Sequence, residues 1–426
     1  MHKYDITICG GGTAGVAAGY IAAKYGLKTL IVERNIHLGG SITSALVMPV
    51  MKANTNDVNC EFYNDFISEL KRYNGQITYC DGNKGWFNPE LSKIALESML
   101  EKVNCDILYN SDVIDASIEK NNIKSIKTNS NMLSLYIESS YFVDSTGNGN
   151  FSQILNNKFL KNSKNRQPMT LRFHVSNINL EEFSTWLLNL DSDRDVTTVC
   201  KIDNQIHLST ACTWDSNKRW ALRPIFEEAV KNGDLEEFDT SYFQIFTVPG
   251  MPGTVSLNCP RICLDEGSDP LDPFVQSKAL IMGRKQIWRL FCFLRKYFPG
   301  FENSFISNIA DMIGIRESRR VECEKIYTKE DILSGKIYDK PVLHADYPID
   351  IHSYKKDSSV LQNTRVDYEL PIECLKSKDY NNLYVAGRLL SADFEAQAAL
   401  RIQSSCFSMG EAVAKDIVLK LGHSGT

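Results

Sequence analysis

Tyr4-Asp5-Ile6-Thr7-Ile8-Cys9-Gly10-Gly11-Gly12-Thr13-Ala14-Gly15 runs a short β-rich stretch straight into a glycine loop. The alanine-rich stretch Ala14 to Tyr25 follows, Gly26 stops it, and Lys28-Thr29-Leu30-Ile31-Val32-Glu33 reads as a second strand. Strand, turn, helix and strand in that order predict a parallel βαβ unit. Within it, Gly10 permits a tight turn, Gly12 leaves room for a pyrophosphate against the backbone, and Gly15 allows the helix to pack closely on the strand. The N–H groups around Thr13 and Ala14 open the helix, where free donors and the positive dipole end favour phosphate. Glu33 ends the second strand 18 residues after Gly15. A carboxylate there accepts the hydroxyls of an unphosphorylated ribose, so the unit predicts a dinucleotide without a 2′-phosphate.

Two more segments carry a strand into a glycine turn. Ser140-Tyr141-Phe142-Val143-Asp144-Ser145-Thr146-Gly147 is one, and Leu383-Tyr384-Val385-Ala386-Gly387 is the other. Between the first of these and the opening unit, Asn88-Pro89 marks a helix start, with Asn as cap and Pro at the first helical position. Short strands are expected around 107–109, 114–118, 123–128 and 135–137. A long helix is expected from about Ile402 to Leu419. The middle of the chain mixes strand-like and helical stretches and has no nucleotide motif of its own. This pattern predicts an α/β protein: a Rossmann-like dinucleotide-binding domain built from both chain ends, residues 1–150 and 346–426, with an inserted α+β substrate or cap domain over 151–345.

Gly39-Gly40-Ser41-Ile42-Thr43 follows Glu33-Arg34 closely and lets a loop lie flat against a bulky, extended cofactor, which favours FAD over NAD. Further motifs are Phe142-Val143-Asp144-Ser145-Thr146-Gly147-Asn148-Gly149, Gly314-Ile315-Arg316-Glu317-Ser318-Arg319-Arg320, Tyr347-Pro348-Ile349-Asp350-Ile351-His352 and Asn382-Leu383-Tyr384-Val385-Ala386-Gly387-Arg388. In this order, and over most of the chain, they resemble the FAD-dependent oxidoreductases of the glutathione-reductase-type flavin fold, specifically the branch that holds many bacterial oxidoreductases. The resemblance implies FAD as cofactor. It places Gly387 and Arg388 near the ribityl-pyrophosphate and Arg401, Ile402 and Gln403 near the flavin pyrimidine end, where a helix N-terminus stabilises negative charge. The expected cofactor contacts are therefore Gly10, Gly12, Thr13, Ala14, Gly15, Glu33, Arg34, Gly40, Ser41, Thr43, Val113, Thr146, Gly147, Gly387, Arg388, Arg401, Ile402 and Gln403. Two positions depart from the family pattern: Phe394 stands where a histidine is common, and Gly410-Glu411-Ala412-Val413-Ala414 stands in place of a glycine-rich GQAAG stretch in the last helix.

For catalysis, alternation along Tyr347 to His352 puts Asp350 and His352 on one face. The pair reads as a proton-handling group, with Asp350 orienting and His352 carrying the proton, or as a structural pair beside the cofactor. Arg316, Arg319 and Arg320 would share one face of a helix. Arg316 in particular is a candidate for binding a substrate carboxylate or a flavin phosphate; the competing expectation is an ion-pair network with Glu317, Glu322 or Glu324. Arg172 and His174 alternate onto one face of a strand in the middle domain.

The chain's 426 residues carry a net charge of -5, which gives no basic field for nucleic acid. The twelve cysteines form no CxxC pair and read as reduced small hydrophobes in a cytoplasmic protein, with no metal site. No apolar run approaches the roughly 20 residues of a membrane span. The stretch from Ala279 to Phe298 reads as an amphipathic helix packed on the protein's own core. The expected function is an FAD-dependent oxidoreductase that passes a hydride between a small organic substrate and the flavin. The alternative is an electron-transfer or structural FAD-binding subunit of a larger complex. No second glycine fingerprint supplies a nicotinamide domain, so an external electron donor or acceptor is expected where the substrate does not serve as one; an oligomer is possible.

Overall fold

The computed structural model describes residues 2–53, 58–161, 167–213, 218–263, 268–352, 360–364 and 366–423. The opening unit folds as β1 (His2–Cys9), α1 (Thr13–Lys24) and β2 (Thr29–Val32). Gly26 follows α1 at φ +88°, a left-handed conformation that ends a helix without a Cβ penalty. β1 pairs in parallel with β2 on one side and with the long strand Leu133–Asp144 on the other. The sheet runs in the order 106–108, β2, β1, 133–144, 122–130, 112–119, and the strand Leu383–Val385 also pairs with 133–144.

That long strand corrects the expectation of two separate strands at 135–137 and 140–146. The chain runs through Ser139-Ser140 without a break because β1 pairs along its length, from His2 with Ile137 to Cys9 with Asp144. Thr7 Oγ1 and Ser139 Oγ share a hydrogen bond at 2.5 Å. The other edge changes partner midway: residues 133–138 pair antiparallel with 125–130, and Phe142–Asp144 pair in parallel with Leu383–Val385. A segment from the far end of the chain is thus laid beside β1's neighbour.

The second sheet is antiparallel, in the order 198–202, 205–213, 242–247, 255–257, 173–176, 305–309. The helix Pro273–Tyr297 lays Ala279, Gly283, Ile287, Leu290 and Leu294 inward, at helical spacing. Gly283 lies close to Ile262 and Leu171, where a Cβ would sit 2.6 Å from Ile262 Cδ1. Two large hydrophobic cores result. One joins α1 and the helices Glu61–Arg72, Pro89–Lys102 and Gln403–Lys420 with Tyr327 through Leu375; the other is made almost wholly from residues between 169 and 315.

In the first core, the helix Gln403–Lys420 crosses α1 so tightly that a Cβ on Gly410 would lie 2.0 Å from Ala14 O. Its neighbour Glu411 is fully buried, accepts Phe62 N–H at 2.8 Å and pairs with Lys415 at 2.7 Å. A buried carboxylate thereby closes the N-terminus of the helix Glu61–Arg72. The expected cap at Asn88 is present, its Oδ1 accepting from Glu90 N and Leu91 N. No helix among the described residues is long and apolar enough to cross a membrane.

The segment 314–320 is a correction. Arg316, Arg319 and Arg320 do not lie on a helix: bridges Thr170–Gly314 and Phe159–Val321 hold the chain extended at both ends. Each guanidinium engages backbone carbonyls instead, Arg316 that of Pro168, Arg319 that of Asn148 and Arg320 those of Ala392 and Lys161. Glu322 pairs with Lys378.

Candidate functional site

The glycine loop is fixed by backbone bonds at both ends. Gly10 N–H donates to Val32 O at 2.8 Å and Gly39 N–H to Gly11 O at 2.8 Å. Gly10 has φ +102°, and a Cβ there would lie 2.7 Å from Ser145 O; on Gly15 it would lie 1.9 Å from Gly10 O. Both positions are sterically closed to any side chain. Gly12 differs: the nearest atom to its imagined Cβ is Ser145 O at 3.8 Å, so the space before it is open. Gly40, at φ +54°, brings the second glycine pair to 3.0 Å from Gly12 Cα by the same measure. Thr13 Oγ1 meets Ser41 Oγ at 3.0 Å and stitches the two loops together.

These loops open on a long groove. Gly10, Gly12, Thr13, Ala14, Glu33, Arg34, Gly40, Ser41, Val113, Thr146, Gly147, Gly387, Arg388 and Arg401 all line it. Four of the expected contacts do not. Gly15 faces Gly10 O, the Thr43 hydroxyl is engaged by Leu38 O, Gln403 Nε2 donates to Val47 O at 2.7 Å, and Ile402 caps the helix behind Arg401. Cys9, Asn35, Ser111, Asp112, Ser145, Asn148, Asn150, Phe151, Met312, Ala386 and Cys406 also line the groove. Ser145 and Asn148 stood inside a quoted motif and Cys406 in the last helix; Met312 carried no sequence signal.

Glu33 is buried, with Oε2 accepting Gly11 N–H at 2.7 Å and Oε1 accepting Asn35 N–H at 2.8 Å. Burial raises its pKa, partly opposed by those two donors. Each oxygen keeps a lone pair for a further donor. Asp144, at the end of the long strand, accepts from Thr146 N–H and Oγ1 and from Ser152 N–H and Oγ, which shapes the 144–152 turn. Arg388 reaches across to Gly147 O at 2.6 Å and Asn148 Oδ1 at 2.7 Å, and burial lowers its pKa to about 10.

Two helix N-termini border the groove without a side-chain cap: α1 at Gly12 and Gln403–Lys420 at Ile402. At the second, Gln403 Oε1, Ser404 Oγ, Ser405 Oγ and Arg401 Nε are buried without a partner among the described residues. Uncapped, buried helix ends need acceptors from outside the chain. A cradle closed at Gly10 and Gly15, open at Gly12, and bordered by two such termini fits a long dinucleotide, its central pyrophosphate at α1 and an electron-rich group at the second terminus.

Arg401 turns its other side away from the groove. Its Nη2 donates to Asp350 O and to Gln167 Oε1, each at 3.1 Å. The strand Ile349–Ile351 places Asp350 and His352 together, with Oδ2 and Nε2 3.4 Å apart. His352 N–H donates to Gln167 Oε1 at 3.2 Å, and its ring meets Tyr242 edge-on at 5.8 Å. Burial, and Arg261 beside it, lower the His352 pKa to about 4, so the imidazole is neutral near pH 7. Asp350 is held down at about 2 against its burial by His352, Arg401 and Arg261, and stays ionised. Arg316 lies outside both the groove lining and this pair, engaged by Pro168 O at 2.5 Å. Arg172 is buried and donates to Met48 O at 2.8 Å and Leu46 O at 3.3 Å, while neither ring nitrogen of buried His174 has a partner among the described residues. His37 Nε2 meets Ser44 Oγ at 2.9 Å.

Comparison with known proteins agrees with this geometry. The family model for FAD-dependent oxidoreductases matches residues 5–424. The thiamine thiazole synthase of Pyrococcus horikoshii is 28% identical over 157 residues, 34% of this chain and 58% of that protein; the chain thus matches little more than half the length of such relatives. The digeranylgeranylglycerophospholipid reductase of Thermoplasma acidophilum is 45% identical over 42 residues, 10% of this chain and 11% of that protein. Among solved structures, the p-nitrophenol 4-monooxygenase of Pseudomonas putida has a TM-score of 0.52 at 8% identity, covering 100% of this chain and 82% of its own, a likeness of fold. With a match over nearly its whole length, the chain belongs to the FAD-dependent oxidoreductase family, and the dinucleotide that suits its glycine cradle is FAD.

Proposed function

We propose that this protein is an FAD-dependent oxidoreductase that passes a hydride between a small organic substrate and the flavin. The dinucleotide would lie in the groove, and the substrate in a recess that we place around Asp350 and His352, whose side chains are partly open though deep among protein atoms. When bound, FAD supplies the two-electron acceptor or donor. The observation that carries the reading is Arg401: it lines the groove and is also bonded to the Asp350 carbonyl, so groove and recess share one wall. Gly12, Thr13 and Ala14 offer N–H groups to the pyrophosphate, Glu33 accepts the ribose hydroxyls, and the N-terminus at Gln403 faces the electron-rich end. His352, neutral and oriented by ionised Asp350, accepts a substrate proton; Arg316, bound to Pro168 O, acts as a positioning residue. Residues 1–150 and 346–426 carry the cofactor, and 151–345 form the substrate side. A cytoplasmic location fits twelve free cysteines.

The test is the colour of the purified protein. A yellow preparation that bleaches anaerobically with one substrate class supports the reading. Bleaching by dithionite alone supports a partner-fed or structural flavin instead. A colourless protein that cannot be reconstituted with FAD overturns the proposal.

A further inference from the structure

The arginines that sequence spacing offers for an anion, Arg316, Arg319 and Arg320, are all held by backbone carbonyls. So are Arg172 and, together with Asn148, Arg388. Arg261 is different. It lies on the short strand Arg261–Ile262 beside Met169–Thr170, and only 4% of it is exposed. Nη1 donates to Thr170 Oγ1 at 3.0 Å, and the guanidinium carbon sits 3.9 Å from the centre of the Tyr242 ring. Nη2 is buried and has no acceptor among the described residues. A guanidinium stacked on an aromatic face is held rigidly, with its remaining donor aimed in a fixed direction.

The surroundings of Arg261 form a recess. Asp350 and His352 keep 22% and 19% of their side-chain surface open, yet both lie deep among protein atoms. Tyr242 and Tyr347 combine partial exposure with the same depth, so the open surface faces inward. Among the described residues, Arg261, Arg401 and Arg172 (which lies within the field of Arg261) are cations, Asp350 is an anion, and His352 is neutral. Positive charge is thus in excess among the described groups, which is unfavourable in a buried setting until an anion completes it.

We infer that Arg261 receives the carboxylate of a small organic acid, whose hydrocarbon part lies along Tyr242 and Tyr347 toward His352. A planar carboxylate fits a guanidinium fork and suits the nitrogen, Nη2, that lacks an acceptor among the described residues. This rests on the recess being the substrate side of the flavin.

The test uses the full-length, FAD-loaded protein at constant ionic strength. Acetate, lactate, succinate and benzoate are compared with the matching amides, by flavin difference spectra and by thermal shift. At least one acid is expected to perturb the flavin and raise the Tm while its amide does neither. Arg261→Gln is expected to weaken that acid at least about 30-fold, and Arg261→Lys to weaken it less. Amides binding as well as acids, no acid binding at all, or unchanged affinity in Arg261→Gln would each overturn the inference. Should Arg261→Gln fail to fold, the acid and amide comparison on the wild type and Arg261→Lys decides. A colourless protein overturns the proposed function; a yellow protein indifferent to acids overturns this inference alone.

Discussion

The groove and the recess are neighbours built from different materials. The groove is mostly backbone: glycines pressed against carbonyls, two helix N-termini, and a buried carboxylate held by N–H groups. The recess is mostly side chain: Arg261, Tyr242, Tyr347, Asp350, His352 and Arg401 arrive from four distant stretches of the chain. Backbone sites tolerate little change in the residues that shape them but suit any molecule with the same phosphate skeleton. Side-chain sites are easily varied and decide which substrate is accepted.

The largest expected effect lies in the groove. Gly15→Ala places a methyl 1.9 Å from Gly10 O, so the turn cannot form as it stands. The variant is expected to be insoluble or colourless, read as FAD per protein after purification, and a yellow, wild-type-like preparation would break the comparison. Gly12→Ala sharpens it, because its methyl meets nothing closer than 3.8 Å. The fold should survive with a Tm lowered by no more than about 2–4 °C, the worth of about 1 kcal/mol at a helix cap. FAD affinity should fall at least about tenfold, since the methyl fills space left for phosphate; equal affinity would show that the open space serves no ligand.

The recess should show itself through pH. His352 and His174 are both lowered to about 4 by burial. Between about pH 6.5 and pH 4 the unfolded chain binds protons that the folded imidazoles refuse, so stability falls as pH falls through that window. Each histidine contributes at most roughly 3 kcal/mol of this loss. His352→Gln and, separately, His174→Leu should flatten the acid side of a Tm-against-pH curve; a slope identical to wild type in either would show that the group titrates normally. The smallest effect is expected for Glu33→Gln. One backbone N–H loses its acceptor, at roughly 1–2 kcal/mol, and FAD binding weakens about five- to tenfold by equilibrium titration; an unchanged dissociation constant would separate Glu33 from the ribose.

The same division explains what could be read in advance. The cradle was legible because Gly10, Gly12, Gly15 and Glu33 sit close together and each answers to a local backbone demand. The Asp350–His352 pair was legible for a similar reason, being two residues apart on a strand. The continuity of the strand Leu133–Asp144 was not, since Ser139-Ser140 looks like a break until β1 is laid beside it. Nor was the extended course of Arg316 to Arg320, where spacing suggests a helix and bridges to Thr170 and Phe159 prevail. Arg261 gave no signal at all: the Tyr242 ring beneath it and an Nη2 without an acceptor among the described residues are both facts of tertiary packing.

The strand Leu383–Val385, slotted beside Phe142–Asp144, also sets a schedule for synthesis. β1, α1 and β2 are made well before that strand and can pair at once. The groove cannot close until Gly387, Arg388 and Arg401 have been made, more than 370 residues after Gly15. Until then the edge of the sheet at Phe142–Asp144 is bare, and the glycine loop has lost one wall. The nascent chain must hold that edge open through the whole of the second sheet, a long-range closure of the kind that slows folding and invites mispairing. Dinucleotide is therefore of little use to the chain before that point; capture waits until the helix Gln403–Lys420 has been made and packs over α1.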